Sequence, residues 1–295
     1  MGAPAYLTIL IRKINLRRFF WPGLVMLTIL VWAAVLSFPR DNRLLLKFYD
    51  VGEGDAIFIR TEQGKKVLID GGPDGRVVNY LSKDLPFYDR TLDLMIVTHP
   101  HADHLRGLVE VLTRYHVRRV VYNPGQYTEA VYRDFEREIK AQNIPVWTAK
   151  VGDTLTLDAK SRLLVLWPTS INQETSNPNE TSIILLLRTG AFSALLLDDA
   201  EKSVQAALFI PPGDDDLEVL KVPHHGARTA LDEFLVAKAA PKLAVISVGR
   251  NSYGHPSAEV LGAYSIRNIP ILRTDTAGSV SILTDGLKWW YETVR

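Results

Sequence analysis

Residues 94–107, Leu-Met-Ile-Val-Thr-His-Pro-His-Ala-Asp-His-Leu-Arg-Gly, decide how the rest of the chain reads. Met95, Ile96 and Val97 leave no polar face, so this run predicts a strand buried on both sides. It ends abruptly in His99, His101, Asp103 and His104, which the pattern places in the loop at the strand's end. Two histidines one residue apart can point the same way from an extended segment. An acid and a third histidine shortly after can curl back toward them. Imidazole and carboxylate suit zinc and similar divalent ions. The chain has only 7 histidines in 295 residues, and three fall within these six positions. That concentration argues against incidental histidines in a polar loop.

Working outward, Leu44–Tyr49, Ala56–Arg60 and Lys66–Ile69 read as strands, the last two joined by a turn at Gly64. The elements Asp50-Val-Gly-Glu-Gly-Asp55 and Ile69-Asp-Gly-Gly72 follow two of them. A helix is expected near Val77–Leu81. Another is expected over Leu105–His116, where Leu105, Leu108, Val109 and Leu112 keep helical spacing, with His116 as a surface residue at its end. Val117–Tyr122 reads as a strand and 127–142 as a helix. A second strand pair, Ser182–Arg188 and Phe192–Leu197, ends in Asp198-Asp199 and repeats the strand, turn, strand, acid order of the first half. Val219–Pro223 is a further buried strand running into His224-His225-Gly226. Leu243–Val248 precedes Tyr253-Gly-His255-Pro-Ser257, and a hairpin turning at Asp285-Gly286 ends the chain.

The His-x-His-x-Asp-His string resembles the signature of the metallo-β-lactamase superfamily. The Asp-Val-Gly-x-Gly-Asp and Ile-Asp-Gly-Gly elements, the pair His224-His225 and Gly254-His-Pro-Ser257 are similar to the hydrolase domain of ComEC-type DNA-uptake competence proteins. That resemblance spans roughly residues 44–290. It implies an α/β fold, the αββα sandwich, with a metal site between two similar halves. It also implies one or two divalent metal ions, Zn or Mn. His99 and His101 would hold the first, Asp103 and His104 the second, and Asp199 would bridge them. Either His224 or His225 would be the last ligand. Asp70 and Asn179 would support the ligands from behind, Asn179 also being a further donor for the first metal, since no further histidine lies between His116 and His224. Asp103 and His255 are the candidate catalytic groups, with Arg228 and Thr229 placed to contact substrate. Asp198 stands where the resemblance has glycine, and an extra carboxylate there is expected to add negative charge to a site that must receive a phosphate.

Residues 20–38 carry no charge and are about long enough to cross a bilayer as a helix. Arg12, Lys13, Arg17 and Arg18 precede them, so the positive-inside rule predicts a cytoplasmic segment 1–19, a membrane anchor 20–38, a linker 39–43 and an exported domain 44–295. A cleaved signal peptide is the competing reading, disfavoured by the length of the run and by its exit Leu36-Ser-Phe-Pro-Arg40. The absence of cysteine excludes disulfides and thiolate ligands. Beyond residue 40 there are 29 basic against 33 acidic residues, which is not the basic balance usual for nucleic-acid-binding domains.

The expected activity is hydrolysis of a phosphodiester, with DNA as the substrate the resemblance implies, in an extracytoplasmic domain held at the cell membrane. A membrane partner in DNA uptake is expected if transport is involved. A non-nucleic envelope ester, and a non-catalytic binding module, are the rival expectations.

Overall fold

The computed structural model describes residues 17–37, 42–125, 127–169, 177–211 and 217–294. Leu94–Ile96 is indeed buried on both faces, and the alternation of its side chains shows why. Leu94 and Ile96 enter a core between two sheets, while Met95 and Val97 enter a second core beneath helices. The same division runs along Leu44–Phe48: Leu44, Leu46 and Phe48 face the inter-sheet core and Leu45 faces the helices. Successive strand residues point to opposite faces, so a strand with cores on both sides must be apolar throughout.

One sheet has eight strands, in the order Trp289–Val294, Ser279–Thr284, Leu44–Phe48, Ile57–Arg60, Lys66–Ile69, Leu94–Ile96, Val120–Val121 and Val146–Trp147. The other has seven, in the order Ile271–Arg273, Leu243–Ile246, Val219–Lys221, Phe192–Leu196, Ile184–Thr189, Ser161–Trp167 and Thr154–Thr156. Helices Arg76–Asp84, Ala102–Arg114 and Ala130–Ala141 cover the first sheet, through residues such as Leu81, Leu108 and Phe135. Helices Lys202–Ala207, Glu233–Ala239 and Ala258–Ser265 cover the second, through Val204, Val236 and Tyr264. The result is helix, sheet, sheet, helix. Each half contains an antiparallel pair, Ile57–Arg60 with Lys66–Ile69 and Ile184–Thr189 with Phe192–Leu196, followed by parallel strands.

Three local expectations need correction. Asp103 and His104 are not in the loop. They form the first turn of the helix Ala102–Arg114, with His101 as its N-terminal cap position. His116 is exposed as expected, but it opens a two-residue strand pairing with Thr91–Leu92 rather than ending the helix. The strand expected over Val117–Tyr122 is accordingly split into His116–Val117 and Val120–Val121.

Residues 1–41 and 42–295 are separate units. In the first, Arg17–Ser37 is a helix with Pro22 inside its opening turns. Its side chains are described from Phe20 to Ala33, and all of them are exposed. Among the described residues no helix is long and apolar enough to cross a membrane. Residues 1–16 of the expected cytoplasmic segment, residue 38 of the expected anchor and 39–41 of the expected linker lie outside the described residues.

Candidate metal centre

The ends of four strands and one helix N-terminus meet at a single cluster. The loop after Leu94–Ile96 brings His99 and His101, and the helix that follows brings Asp103 and His104. The end of Phe192–Leu196 brings Asp198 and Asp199, and the end of Val219–Lys221 brings His224 and His225. The end of Lys66–Ile69 brings Asp70.

Close backbone packing fixes this assembly. The Gly71 N–H donates to the His104 carbonyl at 2.7 Å, and the Gly107 N–H donates to the Gly72 carbonyl at 3.0 Å. No side chain fits between them: a Cβ on Gly107 would lie 1.9 Å from the Gly71 carbonyl oxygen. A Cβ on Gly54 would meet the Asp103 carbonyl at 2.2 Å. The glycines of the two early motifs therefore let their loops rest directly on the helix that carries Asp103 and His104.

One ligand atom each from Asp103, His104, Asp199 and His225 lie within 4.8 Å of one another. Asp199 Oδ2 is 3.3 Å from His104 Nε2, 3.6 Å from His225 Nε2 and 3.9 Å from both His99 Nε2 and His224 Nε2. Asp103 Oδ2 is 3.4 Å from His225 Nε2 and 3.7 Å from His104 Nε2. Beside this group, His99 Nε2 and His101 Nδ1 face each other at 3.0 Å.

The opposite edges of three imidazoles are tied down. His104 Nδ1 lies 2.9 Å from Asp70 Oδ2, and His99 Nδ1 lies 2.9 Å from Asp198 Oδ2. His225 Nδ1 donates to the Ser247 carbonyl at 2.9 Å. A hydrogen on Nδ1 leaves the Nε2 lone pair directed at the cluster, the arrangement by which carboxylates and carbonyls orient metal-binding histidines. His104 Nε2, His225 Nε2 and Asp199 Oδ1 are buried and, among the described residues, accept no hydrogen bond. Buried polar atoms are rarely left so. The donor set, nitrogen and oxygen only, fits a divalent cation.

Electrostatics reinforce the fit. Burial opposes charge on His104, yet Asp199, Asp103 and Asp198 raise its pKa well above the ordinary value. His225 is likewise raised, to about 9, against its burial and chiefly by Asp199 and Asp103. Asp199 is held well down despite burial, by His225 and His104. Asp70 goes the other way: burial lifts it to about 6, against the pull of its His104 partner. Such opposed shifts arise where many charges share a volume with little water.

The remaining expected residues divide. His255 lies at the rim, its Nδ1 3.1 Å from Glu53 Oε1 and its ring 5.8 Å from that of His224. His224 Nδ1 is 3.3 Å from Glu201 Oε1. Each rim histidine thus has its own carboxylate. Asn179 is buried, its Nδ2 donates to Glu201 Oε1 at 3.4 Å, and its Oδ1 has no partner. Arg228 and Thr229 are exposed on the short turn after the paired histidines, and among the described residues nothing ties them to the cluster. Asp198 brings its carboxylate to the cluster from behind: it is buried against His99 and His104, on a left-handed backbone (φ 51°).

Lys221 and its partner Asp55 escaped the sequence reading. Lys221 is fully buried; its Nζ donates to the Asp198 carbonyl at 2.9 Å, pairs with Asp55 Oδ2 and lies 3.7 Å from Asp199 Oδ1. The signal was available: a lone lysine inside the run Val219-Leu-Lys-Val-Pro223, where an unpaired charge would be costly.

A model of the metallo-β-lactamase superfamily matches residues 49–170. Among characterised sequences, the chain is 29% identical over 253 residues to ComE operon protein 3 of Bacillus subtilis, covering 78% of this chain and 32% of that protein. It is 27% identical over 242 residues to Recombination protein 2 of Haemophilus influenzae, covering 79% of this chain and 28% of that protein. The chain thus spans about a third of the length of these relatives. Among solved structures, the metallo-β-lactamase fold protein YhfI from Bacillus subtilis superposes with a TM-score of 0.53 at 11% identity, covering 79% of this chain and 98% of that one. The two sheets with their outer helices, the His/Asp cluster at their strand ends and these matches agree: residues 49–170 match the metallo-β-lactamase superfamily, and the chain is similar to ComEC-type competence proteins.

Proposed function

We propose that the chain is a membrane-anchored phosphodiesterase that uses divalent metal ions and acts on DNA. The observation that carries this reading is the convergence of Asp103, His104, Asp199 and His225, with the Nε2 atoms of both histidines buried and unpartnered. In this reading His99 Nε2 and His101 Nδ1 would hold one ion, and Asp103, His104 and His225 the other. Asp199, whose Oδ2 is 3.3 Å from His104 Nε2 and 3.9 Å from His99 Nε2, would be shared, and Asn179 is the further donor this reading keeps for the first. His225 is preferred to His224 as ligand because it is the one whose Nδ1 is engaged behind it and whose Nε2 joins the four-group cluster.

Bound divalent ions make water acidic and draw charge from phosphoryl oxygens. The protein's own part is to hold donors rigidly and to manage protons at the rim. His255, with Nδ1 held by Glu53, keeps Nε2 free to give a proton to a leaving oxygen. His224, backed by Glu201, is placed to hydrogen-bond a phosphoryl oxygen beside Asp199. Similarity to proteins named for a competence operon and for recombination supports DNA as the substrate and a membrane partner in DNA uptake. The uncharged run 20–38, preceded by four basic residues, supports an anchor with the domain outside the cytoplasm. The acidic balance beyond residue 40 favours one alternative, a small or non-nucleic ester.

Full-length protein in detergent, supplied with Mn²⁺ or Zn²⁺, is expected to cleave DNA. The double variant His99→Ala, His101→Ala is expected to lose that cleavage. Equal activity in the double variant refutes the assignment. Cleavage of chromogenic esters without cleavage of DNA selects the alternative substrate.

A further inference from the structure

The two metal positions of the proposed centre are unequally furnished. Leaving the shared Asp199 aside, the second has Asp103, His104 and His225, while among the described residues the donors that meet at the first are the imidazoles His99 and His101. A position with fewer donors depends more on how well each is presented. His101 is half-exposed at the helix cap, so His99 is the buried anchor of the pair.

What holds His99 is Asp198. Its Oδ2 lies 2.9 Å from His99 Nδ1, and its Oδ1 lies 3.4 Å from His104 Nδ1. The carboxylate therefore touches the rear of one histidine from each position. Its backbone is clamped as well: the carbonyl of Asp198 accepts from Lys221 Nζ at 2.9 Å and from the His224 N–H at 3.0 Å. His104 has an independent carboxylate in Asp70, 2.9 Å from the same Nδ1. For His99 the other neighbour at Nδ1 is the Thr98 hydroxyl at 3.2 Å, whose own hydrogen goes to Asp70.

We propose that Asp198 is a positioning residue: by fixing the tautomer and orientation of His99 it makes the first metal position fillable, and the second position does not need it. The inference rests on the metal-dependent reading above. Carboxylates behind metal-binding imidazoles typically contribute about 10- to 100-fold in metal affinity.

The test uses the full chain in detergent, stripped by chelator and titrated with Mn²⁺ or Zn²⁺ by calorimetry and by competition with a chromogenic chelator. Asp198→Gly suits the left-handed backbone, so loss of the carboxylate is separated from loss of fold, which a melting curve checks. Asp198→Gly is expected to weaken the weaker of two binding events about 10- to 100-fold and leave the tighter one unchanged. Asp198→Asn, which keeps an acceptor oxygen but not the charge, is expected to fall between. Asp70→Asn is expected to do the reverse and weaken the tighter event. Wild-type constants for both events in Asp198→Gly, or an equal loss at both, overturns the inference. A wild-type chain that takes a single ion also overturns it while leaving the hydrolase reading intact; a wild-type chain that binds none refutes that reading itself.

Discussion

Replacing Lys221 by methionine tests whether a buried cation holds the floor of the centre. The lysine side chain has no solvent exposure, and its ammonium sits between Asp55 and Asp199 with a further bond to the Asp198 carbonyl. Burial works against its charge, but Asp55 and Asp199 raise its pKa above the ordinary value. Asp55 is equally buried, and neither of its oxygens has a hydrogen-bond partner beyond that ion pair; His225 Nδ1 is 3.9 Å away. Methionine fills nearly the same volume, so the cavity contribution is small and the main cost is a carboxylate left uncompensated in a dry interior. Breaking a buried pair in this way costs about 3–5 kcal/mol. Against a total stability of roughly 5–15 kcal/mol, that is a melting shift on the order of 10 °C for a domain of this size. Urea denaturation followed by circular dichroism reads the loss directly. The double variant Asp55→Asn, Lys221→Met is expected to lose at least about 1.5 kcal/mol less than the sum of the single variants, since the second change removes the stranded charge. A Lys221→Met protein within about 1 kcal/mol of wild type, or strict additivity in the cycle, refutes the reasoning.

Two further outcomes follow from the site. Gly107→Ala places a Cβ 1.9 Å from the Gly71 carbonyl and 2.6 Å from that of Asp74, so it is expected to lose about 2–3 kcal/mol and to carry less metal as His104 is pushed aside. A wild-type melting curve with full metal content would mean that the glycine loop yields freely. In metal-free protein, His225 has its pKa raised to about 9, so the folded state holds a proton that the unfolded state releases near 6.5. That contribution, roughly 3 kcal/mol, is fully present below pH 6.5 and is lost as pH rises through 9. Chelator-treated protein is therefore expected to melt at progressively lower temperature from pH 6.5 to 9. Metal-loaded protein, whose His225 has no proton to lose, is expected to hold its melting temperature over the same range. A metal-free protein that gains stability across it contradicts the assignment of His225.

The sandwich was legible because its strands are buried twice over and so appear as apolar runs that stop at polar residues. The stops are the site: Asp70, His99, Asp199 and His225 each lie within a few residues of the end of such a run. What could not be read was direction. Asp70, Asp198, His224 and His225 all have left-handed backbones, with φ between 48° and 56°. The alternation that assigns strand side chains to one face or the other fails at such a residue. Spacing alone therefore could not say that Asp198 turns inward while Asp199 turns to the cluster, or that His225 and not His224 joins Asp103. The same limit hid Asp55, whose part depends on a lysine 166 positions later in sequence.

The acidity of the domain looks adverse to a phosphodiester only until its location is considered. Asp55, Asp70, Asp103, Asp198 and Asp199 all fall within the groups around His104, and Lys221 is the cation paired among them. That leaves four negative charges in a volume where Asp199 and Asp198 have no exposed surface to speak of. Protonated His104 and His225 can offset part of this charge in the metal-free protein, which is the sense in which their pKa values are raised. On the proposed reading, two divalent ions would offset all four and release those protons as they bind. The same carboxylates that would repel an anionic substrate from the metal-free centre would then create the demand for cations that lets the metal-loaded centre accept one. Substrate binding and metal loading would be a single linked equilibrium. A phosphodiester analogue should tighten metal binding by the same factor by which metal tightens the analogue, a reciprocity that two titrations on one preparation can check.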